Sequence, residues 1–184
     1  MQNKTFKIIL VATASVLGAL LVGGGVWLWV TQNQFTSISN NAYGIQMMYP
    51  KSWQATKDYE KTVFTFLSPP ESSMDVFREN VNVVIQKVPN AQVNLEQYAD
   101  LAAKQLTVVL KNTQLLKNEP VRVGKMEARR LLIEAKQPDQ LMIEVTMLLE
   151  NQRAIIITYT SRSFRYADDL KLVRTMINSL TLSE

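Results

Sequence analysis

Acid–base and nucleophilic chemistry near neutral pH lean on histidine and cysteine, and this 184-residue sequence contains neither. Serine–histidine triads, zinc hydrolysis and thiol redox chemistry are thereby excluded. No Ser-x-x-Lys spacing follows residue 30, and no glycine-rich phosphate loop follows a strand. Carboxylates and arginines remain. Glu71, Asp75 and Glu79 recur every four residues and carry the hard oxygen ligands that calcium takes. The calcium-loop pattern is absent, and such an ion needs about six convergent oxygens, so the same spacing also describes a solvated face. The expectation is a protein without catalytic residues or a cofactor.

Two groups of residues suit recognition instead. Phe77-Arg78-Glu79-Asn80 closes the polar stretch 71–79, which reads as an exposed loop. An aromatic beside an arginine is the composition of an interface hot spot. The structural alternative has Asn80 capping a turn and Arg78 holding a carboxylate. Arg162 and Arg165 flank the start of a predicted helix, where positive charge gains nothing from the helix dipole, whereas Asp168 and Asp169 do. These two arginines are therefore candidates for a partner protein or lipid headgroups.

The elements that must position these residues begin beyond an apolar stretch. Ile8 to Val30 contains no charged side chain over 23 residues. As a helix it would extend roughly 34 Å, enough for a hydrocarbon core of about 30 Å. A cleaved signal peptide would have a shorter apolar region, about 7–15 residues, and a small-x-small site. Here the stretch is longer and runs into Trp27 and Trp29, which favours an uncleaved anchor. Lys4 and Lys7 precede it and no Lys or Arg follows until Lys51, so the positive-inside rule puts residues 1–7 in the cytoplasm. The remainder is expected on the other side: periplasmic, extracellular or thylakoid-lumenal. Ser15, Ala19 and Gly23 recur every four residues along the span and form a small-residue stripe suited to helix packing.

Beyond the span, 18 basic residues face 16 acidic ones, and the basic ones are scattered singly. That is not the footprint of a nucleic-acid binder. Residues 31–42 are polar and uncharged and read as a linker. Period-two patterns then predict strands over 43–49, 62–68 and 80–88. Tyr43, Tyr49 and Trp53 are expected to pack a core beside the first. Residues 94–112 switch to helical spacing, with Asn94 as N-cap and Leu95, Tyr98, Ala99, Ala102, Leu106, Val109 and Leu110 on one face. Strands over 114–123, 126–135, 140–149 and 153–161 follow, joined by short turns, and a helix over 164–180 ends the pattern. In the third of these strands Leu141, Ile143, Val145, Met147 and Leu149 alternate with Glu144, Thr146 and Glu150. Short turns force antiparallel pairing, and amphipathic helices must bury their apolar faces on the sheet. The expected fold class is α+β: an antiparallel sheet of six or seven strands flanked by helices, preceded by one transmembrane helix.

Three local patterns, in this order, resemble the PsbP-like family. They are Tyr43-Gly44-Ile45-Gln46-Met47-Met48-Tyr49-Pro50-Lys51-Ser52-Trp53, then Phe66-Leu67-Ser68-Pro69 with Phe77-Arg78-Glu79-Asn80-Val81-Asn82-Val83, and the closing Met176-Ile177-Asn178-Ser179-Leu180. The resemblance covers residues 43–182. It implies an α/β/α sandwich and non-enzymatic work at a membrane, which in photosystem II members means assembly or retention of calcium and chloride at the manganese cluster. The histidines proposed as metal ligands in some members have no counterpart here, so no ligand is carried over. The fold is also similar to that of DcrB- and EagR-type envelope proteins and chaperones. Together these readings imply a membrane-anchored accessory protein that assists assembly or stability of a membrane protein complex. The alternative is an extracytoplasmic, chaperone-like module that holds apolar peptide segments.

Overall fold

The computed structural model describes residues 34–88, 92–110, 112–136 and 140–183. The apolar stretch 8–30, with Ser15, Ala19 and Gly23, lies outside the described residues. Among those that are described, no helix is long and apolar enough to cross a membrane.

Among the described residues, ten strands and two helices follow one another as β1 (Phe35–Asn40), β2 (Ile45–Pro50), β3 (Gln54–Lys57), β4 (Phe64–Leu67), β5 (Asn80–Lys87), α1 (Leu95–Val109), β6 (Thr113–Val123), β7 (Met126–Ala135), β8 (Leu141–Glu150), β9 (Arg153–Arg162), α2 (Tyr166–Asn178) and β10 (Thr181–Leu182). Seven strands form one antiparallel sheet in the order β3-β4-β5-β9-β8-β7-β6, and β1-β2-β10 form a second. The four long strands β6–β9 lie where the alternation places them. Asn151 and Gln152, both at positive φ, make the two-residue turn between β8 and β9.

The segment read as a linker does not remain one. Phe35–Asn40 pairs with β2 along its whole length, from Phe35 opposite Pro50 to Asn40 opposite Ile45. Phe35 and Ile38 pack against the core, and Asn40 donates to Asp58 at 2.9 Å. Two further short strands, β3 and β10, carry too little alternation to be read from sequence. Pro50 ends β2 from inside the strand rather than from beyond it.

The large sheet buries both faces. One carries Phe64, Phe66, Val81, Ile157 and Tyr159 against α2 and the small sheet. The other packs Leu131, Ile133, Val145 and Met147 against Ala99 and Ala103 of α1. Those alanines let the helix approach closely. Asn94 caps α1 as expected, and Gln97 completes a capping box, its backbone N–H donating to Asn94 Oδ1 at 2.9 Å. Val109, expected on the inner face, is instead 75% exposed, and Ala103 takes the inner position. Trp53 is buried and Tyr49 packs on Phe66 with ring centroids 5.3 Å apart. Tyr43, expected in the core, is 40% exposed in the turn before β2.

Two of the sequence patterns meet in space. Ser183 N–H donates to the Gly44 carbonyl at 2.8 Å, and Met48 N–H donates to Ser179 Oγ at 2.8 Å. The closing helix and its tail thus fasten onto the β1–β2 hairpin.

Candidate functional site

The residues singled out from sequence converge on one end of the large sheet. Loop 68–79 enters β5, while the turn 163–165 leaves β9, and Asn80 pairs with Thr160 between them. Arg162 Nη2 reaches Asp75 Oδ1 at 3.2 Å, and its guanidinium lies 5.4 Å from the Phe77 ring centroid. Arg165 reaches Glu71 at 2.5 Å and Asp168 at 2.6 Å. The two arginines therefore lace the loop to the start of α2.

Within the loop the side chains of Asp75, Arg78 and Glu79 are turned to partners in the fold. Arg78 donates to the carbonyls of Ser68 and Leu67 and to Gln54 Oε1. Glu79 is only 2% exposed, with Oε2 accepting from Ser68 Oγ at 3.2 Å and Oε1 without a hydrogen-bond partner. Asn80 donates to the Arg78 carbonyl at 3.3 Å, closing a turn as the structural alternative has it, whereas Arg78 holds the Ser68 and Leu67 carbonyls and Gln54 where that alternative expects a carboxylate. Asp75 accepts from the backbone N–H groups of Glu71 and Phe77. Those donors, the Glu71 amide first, hold its carboxyl below the usual carboxylate range, helped by Arg162. Burial pushes the Asp169 carboxyl up, opposed by Arg165 and reinforced by Glu79. Glu71, Asp75 and Glu79 thus serve separate partners rather than one shared centre. Phe77–Asn80 are the frame of this surface, and the side chains it displays are others: Met74 and Val76 are 85% and 95% exposed, and Phe164 73%.

A second feature was not legible. Glu144, read as the polar side of β8, is completely buried on the α2 face. Its carboxylate accepts from Tyr166 Oη at 2.5 Å and Arg174 Nη2 at 3.2 Å, and Arg130 Nε lies 3.2 Å away. Burial, with the Glu144 contact second, raises the Tyr166 hydroxyl above the ordinary phenol range. This network fastens α2 to the sheet.

The third feature is a groove of about 450 Å³ on the opposite face, beside α1. Ala102, Leu106 and Val109 form its helical wall, and Val145, Met147 and Ile156 its floor. Thr158 and Thr160 continue the floor toward Arg162, two residues further along the same face of β9. A wider depression at the start of α1 is lined by Glu96, Arg122, Glu127 and Arg129, with Arg129 and Glu96 3.8 Å apart. Its charged walls suit no apolar ligand.

Neither a protein-family model nor a curated protein matches the sequence. Solved structures do match. Cyanobacterial PsbP from Synechocystis superposes with a TM-score of 0.62 at 15% identity, over 82% of this chain and 94% of that one. The fold is PsbP-like. The same PsbP-like architecture is found in LpqN of Mycobacterium tuberculosis, described as involved in cell envelope biogenesis (TM-score 0.60, 10% identity, 82% and 91% covered). It also occurs in the yeast Ran-binding protein Mog1p (TM-score 0.57, 9% identity, 82% and 96% covered). At these identities the PsbP-like likeness is one of fold.

Proposed function

We propose that the chain is a membrane-anchored, non-catalytic accessory protein. In this reading its PsbP-like domain binds an apolar segment of a membrane protein complex outside the cytoplasm and assists that complex's assembly or stability. The observation that carries the proposal is the groove beside α1, where Ala102, Leu106, Ile156 and Val109 present partly or fully exposed apolar surface above the buried Val145 and Met147. Convergent apolar surface with a few polar groups among it, here Gln86, Tyr98, Gln105, Thr158 and Thr160, is what a polypeptide segment needs for affinity and register. The missing histidine and cysteine argue against catalysis, and the apolar stretch 8–30 argues for a tether. LpqN's description as an envelope-biogenesis protein and Mog1p's as a Ran-binding protein are in keeping with binding work on this fold.

The chain lacks cysteine, so a single Val109→Cys carries one photo-crosslinker into the groove mouth. Illumination of native membranes is expected to give an adduct to an apolar segment of an integral membrane protein. Ala102→Trp, which fills the groove, should abolish the adduct without altering the unfolding midpoint. An adduct that persists unchanged with the groove filled would refute the assignment. The same groove also suits a chaperone-like module, and that reading predicts many different apolar segments in the adducts rather than one.

A further inference from the structure

We propose that Met74, Val76 and Phe164 form a second docking surface, separate from the groove, which fits an apolar cleft with a basic rim on a protein partner. Single exposed apolar side chains are ordinary on protein surfaces. These three differ in how they are held. Met74 and Val76 flank Asp75, which pairs with Arg162; Phe164 lies between Arg162 and Arg165, which pairs with Glu71. Each apolar tip therefore stands within two residues of an ion pair that ties loop 71–79 to the turn 163–165. The Arg162–Phe77 contact and the Arg78 bonds to the Ser68 and Leu67 carbonyls stiffen the base. An apolar projection that is already ordered loses little entropy on docking, which is how a small patch becomes an interface hot spot.

Charge selects the kind of partner. Segments 71–79 and 162–169 together hold five carboxylates, Glu71, Asp75, Glu79, Asp168 and Asp169, against three arginines. Asp75 and Glu79 are turned inward, while Glu71 and Asp168 remain partly open beside the apolar tips, with side-chain exposures of 37% and 52%. A net negative collar repels an anionic bilayer and complements lysine or arginine. The tips would thus enter an apolar cleft while the collar meets its basic rim.

The test uses the full-length chain in native membranes with one photo-crosslinker, on Val76→Cys. The expected result is an adduct to a different protein, within a segment that combines apolar residues with lysine or arginine. Met74→Ser with Phe164→Ser should lower adduct yield by about tenfold or more, as removal of hot-spot side chains does, with the unfolding midpoint unchanged. Glu71→Gln with Asp168→Asn should lower it several-fold and flatten its decline with added salt, as loss of screened charges requires. Adducts to phospholipid, to a second copy of this chain, or to a segment without basic residues would each overturn the proposal, as would no adduct at all. The groove-filling Ala102→Trp is expected to leave the Val76 adduct intact. Loss of the Val109 adduct's specificity with survival of the Val76 adduct would remove the groove reading and keep this one.

Discussion

Glu144 shows what a one-dimensional pattern hides at the scale of a residue. Its position in β8 reads as the polar side of an amphipathic strand, because alternation reports only which side a residue faces and not what lies across from it. In the fold that side is covered by α2, and the carboxylate is completely buried among Tyr166, Arg174 and Arg130. A buried ion pair adds little net stability against an apolar replacement, yet removing one member leaves the other charges uncompensated. Glu144→Ala is therefore expected to destabilise the domain by about 3–5 kcal/mol, read from the denaturant midpoint at unchanged slope. Arg174 is partly open to solvent, so Arg174→Ala should cost much less. Equal costs would mean that the network acts as one cooperative unit rather than around Glu144. The Phe77–Asn80 segment shows the same limit of a one-dimensional pattern. Its composition suits a recognition loop, but Glu79 and Arg78 satisfy buried polar groups and carbonyls. The exposed Met74, Val76 and Phe164 beside them carry no pattern that marks them in sequence.

At the scale of elements, legibility followed the number of residues that repeat a pattern. Strands β6–β9 and both helices are long, and their periods of two and 3.6 survive in the structure with ends shifted by at most three residues. β1, β3 and β10 have six, four and two residues and show little alternation, because pairing partners hold them and few of their side chains are buried. The Gly44 junction illustrates this dependence on partners. Its φ is +62°, and a Cβ there would stand 2.9 Å from Ser183 Oγ and 3.0 Å from the Ser183 carbonyl oxygen, where β10 closes on the turn. Gly124, at φ +58° in the β6–β7 turn, has its nearest neighbour 4.0 Å away. Both glycines adopt a backbone that costs other residues about 1 kcal/mol or more. Only the first also blocks a close approach. Gly44→Ala is thus expected to lower stability clearly more than Gly124→Ala, measured by thermal unfolding of the two variants side by side. Matching losses would show that the tail yields without cost.

At the scale of the molecule, the boundary of the folded unit is where sequence and structure differ most usefully. Polarity and lack of charge made residues 31–42 look like a linker, with the domain starting at Tyr43. The compact unit instead begins at Phe35, leaving Thr31–Gln34 between the apolar stretch and the first strand. The reason is physical: β2 is the middle strand of the small sheet, bonded to β10 over only two residues and to β1 over six. Without β1, β2 becomes an exposed edge, and its half-exposed Met48 borders a row of unpaired backbone groups, the arrangement that templates aggregation. Phe35 and Ile38 also leave the core; full burial of such side chains is worth about 1.5–3 kcal/mol each, and these half-buried two contribute less. Asn40 takes with it the bond to Asp58. Two truncated chains separate the boundaries. One beginning at Gln34 is expected to be monomeric and to unfold in a single cooperative transition. One beginning at Tyr43 should lose a few kcal/mol from a total that for such domains is roughly 5–15 kcal/mol, and should self-associate through β2. Equal stability of the two would make β1 an accessory to the fold and return residues 31–42 to the role of a tether.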